Sequence, residues 1–222
     1  MKFWRSFSPN GRSVCLIREW KDVTMTISEN MMVYKNKEEK KTKIITRADH
    51  INNGHHESSI FMDLHAGTHI DMPLHMIDCG EDSTNFDISA VNGPCIVVDF
   101  SGEDRAEVDE HFLSQFEIKK GDIVIIKTKN SYAEAFDLNY DYLDTSGAMY
   151  LKNLGVKAVG IDALGIERSA PGHPTHKTLL GNGIYIIEGL ELSKIEGGRY
   201  EFICIPMKII GVEGLPARAF LK

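Results

Sequence analysis

Apolar residues gather along this chain in short runs bounded by Gly, Pro and Asn, the pattern of buried strands. Cys95–Phe100 (C-I-V-V-D-F), Asp122–Thr128, Lys157–Asp162 and Gly183–Gly189 (G-I-Y-I-I-E-G) are each nearly continuous in apolar residues, as strands covered on both faces are. Between them the period changes. Val108–Phe116 reads as a short helix ending near Lys119 and Lys120, with Gly121 beyond, and Thr145–Leu154 as a helix with Asp144 or Thr145 as N-cap and Gly155 as C-cap. Strands alternating with helices predict an α/β domain. Upstream, Asp22–Ser28 reads as a first strand, Lys43–Arg47 as a short one, and Ser58–Leu64 as the strand that leads into the next stretch. The charge run 35–43 predicts a solvated turn or edge, and the polar stretch His50–Glu57 a turn with His55 and His56 as loop residues. Residues 1–21 show no periodicity and are expected to be an extension or an oligomer arm ahead of one domain over 22–222. Ser169–Lys177 (S-A-P-G-H-P-T-H-K), broken by Pro and Gly, reads as a loop.

Length and composition narrow the class. The chain has 222 residues, 42% hydrophobic and 26% charged, as expected for one folded domain with a sizeable core. A net charge of −7 disfavours nucleic acid and anionic membrane as partners, which leaves a small molecule as the expected substrate. Cys15, Cys79, Cys95 and Cys204 form no C-x-x-C pair, so reduced thiols and a cytoplasmic location are expected. Met1–Trp20 carries no apolar core of a signal peptide, and no apolar run reaches transmembrane length.

The candidate chemistry lies in Leu64–His75, L-H-A-G-T-H-I-D-M-P-L-H. His65, His69, Asp71 and His75 all occupy odd positions, while Ala66, Thr68, Ile70, Met72 and Leu74 occupy the even ones, so an extended chain would present imidazoles and a carboxylate on one face. Neutral imidazole and carboxylate are preferred ligands of zinc and similar divalent ions. A helix is opposed by Gly67, Pro73, Thr68 and Ile70. A straight strand would hold His65 roughly 13 Å from His69, too far to share an ion, so a bend at Gly67 is required. A second candidate ligand is Glu188, a carboxylate at the end of an apolar strand, where an unpaired charge is costly.

The stretch H-A-G-T-H-I-D-M-P-L-H resembles, at every fixed position, the signature H-x-G-T-H-x-D-x-P-x-H of the metal-dependent cyclase and kynurenine formamidase family. The resemblance implies that His65, His69 and Asp71 bind metal and that His75 is the general acid/base. It also implies that His176, twelve residues before Glu188, joins Glu188 as a ligand. His173 matches no family ligand and is expected to support the site or face substrate. Where the formamidases have a substrate-touching aromatic followed by Pro-Gly, this chain has Tyr34, Lys35 and Asn36. Gly93-Pro94 and the ending G-V-E-G-L-P-A-R-A-F-L match as well, with Arg218 expected in an ion pair. The implied fold is a mixed α/β domain of swivelling β/β/α type, with a β-barrel-like sheet core flanked by helices, assembling as a homodimer or homotetramer. The implied cofactor is a divalent metal, zinc first and manganese second, at one or two ions per chain. The expected activity is hydrolysis of an amide-type C–N bond by metal-activated water, with N-formylkynurenine the first substrate to test. A metal-dependent cyclase or lyase, a hydrolase of another cyclic amide, or a non-catalytic metal-binding protein are the alternatives; a site with more than four ligands argues for an open, catalytic centre.

Overall fold

A computed structural model describes residues 19–168 and 170–222, and its core is a sheet closed on itself. Four parallel strands form one wall: β5 (Gly93–Asp99), β7 (Ile123–Lys127), β9 (Ala158–Ile161) and β10 (Tyr185–Glu188). The other wall is antiparallel and comes from β11 (Gly198–Pro206), β12 (Gly214–Leu221) and the short β4 (His69–Asp71). β4 pairs with β10 on one side and with β12 on the other, and this seam closes the ring. β1 (Lys21–Asp22) adds to the far end of β12. Outside the ring, β2 (Lys43–Ala48) and β3 (Glu57–Phe61) form a hairpin, and β6 (Glu107–Val108) pairs with β8 (Tyr142–Leu143).

The continuous apolar runs follow from this closure. In β7, Ile123 and Ile125 point into the ring beside Val97, Ala158, Ile187 and Phe202. Val124 and Ile126 point outward, with Val98, Val159 and Ile186, beneath the helices. Those helices are α2 (Glu110–Leu113), α3 (Thr145–Leu154) and α4 (Pro174–Leu180), following α1 (His50–Asn53) in the hairpin. Each of α2, α3 and α4 joins two parallel strands, and Leu113, Leu151 and Leu179 bury their apolar faces on the outer wall. α3 begins and ends as read: the Asp144 side chain accepts from the Gly147 N–H, and Gly155 closes the helix at φ 74°.

Several expectations need correction. The first strand covers only Lys21–Asp22, with one further bridge at Thr24, because the Met25 N–H turns to the Thr68 hydroxyl instead of a ladder. Lys21 therefore belongs to the sheet, while the expected arm over 1–18 lies outside the described residues. The turn at His50–Glu57 contains α1, capped by the Asp49 side chain. The expected loop Ser169–Lys177 contains the start of α4 (Ser169 itself lies outside the described residues), because Pro174 at the first helical position opens a helix rather than breaking one. Among the described residues no helix is long and apolar enough to cross a membrane.

Candidate metal centre

The seam strand β4 carries the centre. His69 sits opposite Glu188 in β10 and opposite Pro216 in β12, so the pairing that closes the ring also brings a histidine and a glutamate together. Two glycines make the approach possible. A Cβ on Gly189 would lie 2.4 Å from the Gly67 carbonyl oxygen, and one on Gly214 would lie 2.9 Å from His65 Nε2. Gly67 at φ 69° supplies the bend that lets His65 fold back over His69, their ring centroids 4.8 Å apart.

Five side chains converge here. Asp71 Oδ1 lies 3.0 Å from His65 Nδ1 and 3.3 Å from His69 Nε2, and Asp71 Oδ2 lies 3.9 Å from His176 Nε2. Glu188 places Oε2 3.5 Å from His69 Nε2 and Oε1 3.6 Å from His176 Nε2. These are approaches rather than aligned hydrogen bonds: both Asp71 oxygens, His65 Nε2, His69 Nε2 and His176 Nδ1 are buried without a hydrogen-bond partner. Orphaned buried carboxylate oxygens are costly, and a divalent cation satisfies them. His69 is already oriented for that role, since its Nδ1 is held 2.9 Å from the Gly67 carbonyl and its Nε2 faces Asp71 and Glu188. The donor set of imidazole and carboxylate suits zinc and manganese alike.

The charges respond to the same crowding. Burial alone would depress the His69 pKa, but the Asp71 and Glu188 carboxylates outweigh it and lift it to about 10. His176 reaches about 10 against the same burial cost, through Glu167 and Glu188. Burial and the Asp71 charge push Glu188 upward, yet His176 and His69 bring it down to about 2. Asp71, which burial would also raise, is held well below the ordinary carboxylate range by His65 and His69. The metal-free cluster thus holds protons where an ion would hold its charge.

His75 differs from these five side chains. It ends the single turn Pro73–His75, and its ring stacks 4.1 Å from that of His65 and 5.8 Å from that of His176. Burial lowers its pKa, only partly opposed by Asp71, so it is neutral at pH 7. Its ring nitrogens also come within 4.8 Å of ligand atoms of His65 and Asp71, so geometry alone allows it either role.

Tyr34 forms an aromatic wall with Phe136, 5.1 Å away, and Tyr140, 5.6 Å beyond Phe136. Lys35 and Asn36, standing where the formamidases have Pro-Gly, both take positive φ, at 57° and 50°. Asn tolerates that region better than most residues, so the turn survives the replacement. Phe136 and Tyr140 went unread because nothing local marks a wall built from separate loops. Glu167 was missed as well: it is 4% exposed, its Oε1 accepts from His173 Nδ1 at 2.7 Å and lies 3.1 Å from His176 Nδ1. Burial disfavours its charge, but His176, the Thr175 N–H and His173 keep its pKa below the ordinary value. His55 and His56 are exposed in the hairpin, where His55 approaches Glu57, Cys79 is exposed, and Arg218 pairs with Asp22.

Comparison with known proteins agrees with this geometry. A model of the family described as putative cyclase matches residues 21–168. Cyclase-like protein 1 of Arabidopsis thaliana is 31% identical over 177 residues, covering 74% of this chain and 68% of its own. A kynurenine formamidase of Geobacillus thermodenitrificans is 32% identical over 165 residues, covering 73% of this chain and 78% of its own. A solved structure described as a potential metal-dependent hydrolase with cyclase activity superposes with a TM-score of 0.84 at 41% identity, covering 91% of this chain and 96% of that one. With a family match over most of its length and a ligand cluster at the seam of a closed sheet, the chain belongs to the putative cyclase family.

Proposed function

We propose that this protein hydrolyses an N-aryl formamide, with N-formylkynurenine the first candidate, releasing formate and the free amine. The enzyme is a metal-dependent amide hydrolase; the aryl formamide, the metal and the residue roles are the proposal. The observation that carries it is the pair of orphaned Asp71 oxygens, fully buried between His65 and His69 on one side and His176 on the other. A carboxylate with both oxygens free between two ligand groups suits one ion or a bridged pair. His65, His69 and Asp71 would hold one, and Asp71, His176 and Glu188 the other, with zinc the first choice for this donor set. When bound, such an ion polarises the amide carbonyl and makes water acidic enough to attack it at neutral pH.

The chain's own residues do the rest. The aromatic wall of Tyr34, Phe136 and Tyr140 supports the reading of a planar aryl group, which stacks there while the formamide points to Asp71 and Glu188. His75, neutral at pH 7, takes a proton from the attacking water on a ring nitrogen and returns it to the leaving nitrogen as the C–N bond breaks. The unpaired Cys79, Cys95 and Cys204 support a cytoplasmic enzyme. Exposed Ile44, Ile45, Ile60 and Phe61 on the β2–β3 hairpin support a homodimer or homotetramer. Screening the zinc- and manganese-loaded protein against aryl formamides, lactams and other cyclic amides, with formate measured directly, tests the substrate. Stoichiometric formate from an aryl formamide is expected; a cyclised or dehydrated product without formate would overturn it.

A further inference from the structure

His176 reaches the centre from a helix rather than from the sheet, so something must fix both the helix and the ring. His173 in the N-cap position of α4 offers no side-chain cap, and Pro174 has no N–H to give. The Thr175 N–H at 2.8 Å and the His176 N–H at 3.4 Å both donate instead to Glu167 Oε2, from a segment outside the helix. The other oxygen, Oε1, takes the His173 Nδ1 hydrogen bond at 2.7 Å and lies 3.1 Å from His176 Nδ1, which has no aligned hydrogen-bond partner, so its hold on that nitrogen is the attraction of its charge.

We propose that Glu167 is the positioning residue for His176: its carboxylate caps α4 with one oxygen and holds the proton of His176 on Nδ1 with the other. That leaves His176 Nε2, which faces Asp71 and Glu188, with its lone pair free for an ion. The arrangement parallels His69, whose Nδ1 is held by the Gly67 carbonyl. The inference rests on the hydrolase reading above, since it concerns how that site's second ligand group is presented.

Glu167→Gln separates the two jobs. The amide oxygen still accepts from the Thr175 N–H and keeps the cap. The amide N–H₂ turns a donor toward the ring, so Nδ1 must accept and the proton moves to Nε2, blocking the ligand position. Zinc affinity by chelator competition should fall about 10–100-fold, the usual cost of losing such a partner, while the metal-free variant keeps the wild-type helix content in circular dichroism because the cap is retained. Nitrogen-15 NMR of the zinc-loaded wild type should show His176 protonated on Nδ1 and bound through Nε2. Wild-type zinc affinity in the variant, or a wild-type His176 protonated on Nε2, would overturn the proposal. So would a metal-free variant that loses helix content in step with affinity, because Glu167 would then be a helix cap only. A wild-type chain that takes up no zinc sinks the hydrolase reading and this one together; equal loading of wild type and variant sinks this one alone.

Discussion

His75 and Asp71 are four residues apart and should fail in different ways. Asp71→Ala removes a charged group whose two oxygens face three histidines, so metal content and rate should fall together. His75→Ala should keep its metal and lose about 10²–10⁴-fold in rate, the usual worth of a positioned acid/base, and flatten one limb of the pH–rate profile. Metal analysis and turnover on the same preparations decide it: if His75→Ala loses metal as Asp71→Ala does, His75 is a ligand. The protons of the metal-free cluster give a second test. His69 is raised from 6.5 to about 10 on folding, so its contribution is complete below pH 6.5 and is lost as pH climbs toward 10. Glu188 falls from 4.5 to about 2, so its contribution is complete above pH 4.5 and is lost as pH drops toward 2. Metal-free protein should therefore melt highest between pH 4.5 and 6.5 and weaken through the alkaline range, where added zinc restores it. A melting temperature that stays level to pH 9–10 would contradict the coupling. At this scale the sequence showed the side chains that meet at the centre, because histidines and an aspartate at alternate positions need a special cause. It hid Glu167 and the Tyr34–Phe136–Tyr140 wall, whose members meet only after separate loops are folded together.

Elements with one dominant force behind them were legible in advance. β5, β7, β9 and β10 announce themselves as continuous apolar runs, since both of their faces are covered, and α3 by its caps. α4 was hidden because its first residue, Pro174, also punctuates loops. β11 and β12 were hidden because their outward positions are polar or half-buried, so neither reads as a buried run. β12 nevertheless shapes the centre: Gly214 is opposite Asp71 and leaves space for the His65 ring. Gly214→Ala should keep the fold, as its backbone lies within an ordinary strand, yet displace His65 by steric contact at Nε2. The expected result is a near-native circular dichroism spectrum with weakened metal binding and activity. An alanine variant with wild-type zinc affinity would show that His65 has room to move.

For the whole molecule, closure of the ring was the part that only resemblance anticipated, since no local pattern says which strands meet. The hairpin of β2 and β3 stands apart from that ring with Ile44 and Ile60 paired across it at 46% and 55% exposure, a surface suited to a second copy. Replacing the pair as Ile44→Glu with Ile60→Lys preserves a favourable cross-strand contact while removing the apolar face. Light scattering should then report a smaller particle than the wild type; an unchanged mass would rule this face out as a contact between copies. The three-residue seam at β4 has a kinetic consequence. Its partners are remote in the chain: the Thr68 hydroxyl bonds the Gly189 carbonyl across 121 residues, and β12 lies further still. Contacts of such span form late, because the intervening loop must be ordered first. The early-made half of the candidate ligand set, His65, His69 and Asp71, therefore waits for β10 and β12 to dock on β4. Until then its one carboxylate and two imidazoles lack the Glu188 side chain that faces them across the seam. Metal capture then becomes the closing event of folding, and amide hydrogens along β4 should exchange with solvent sooner than those of β7 whenever the ion is withdrawn.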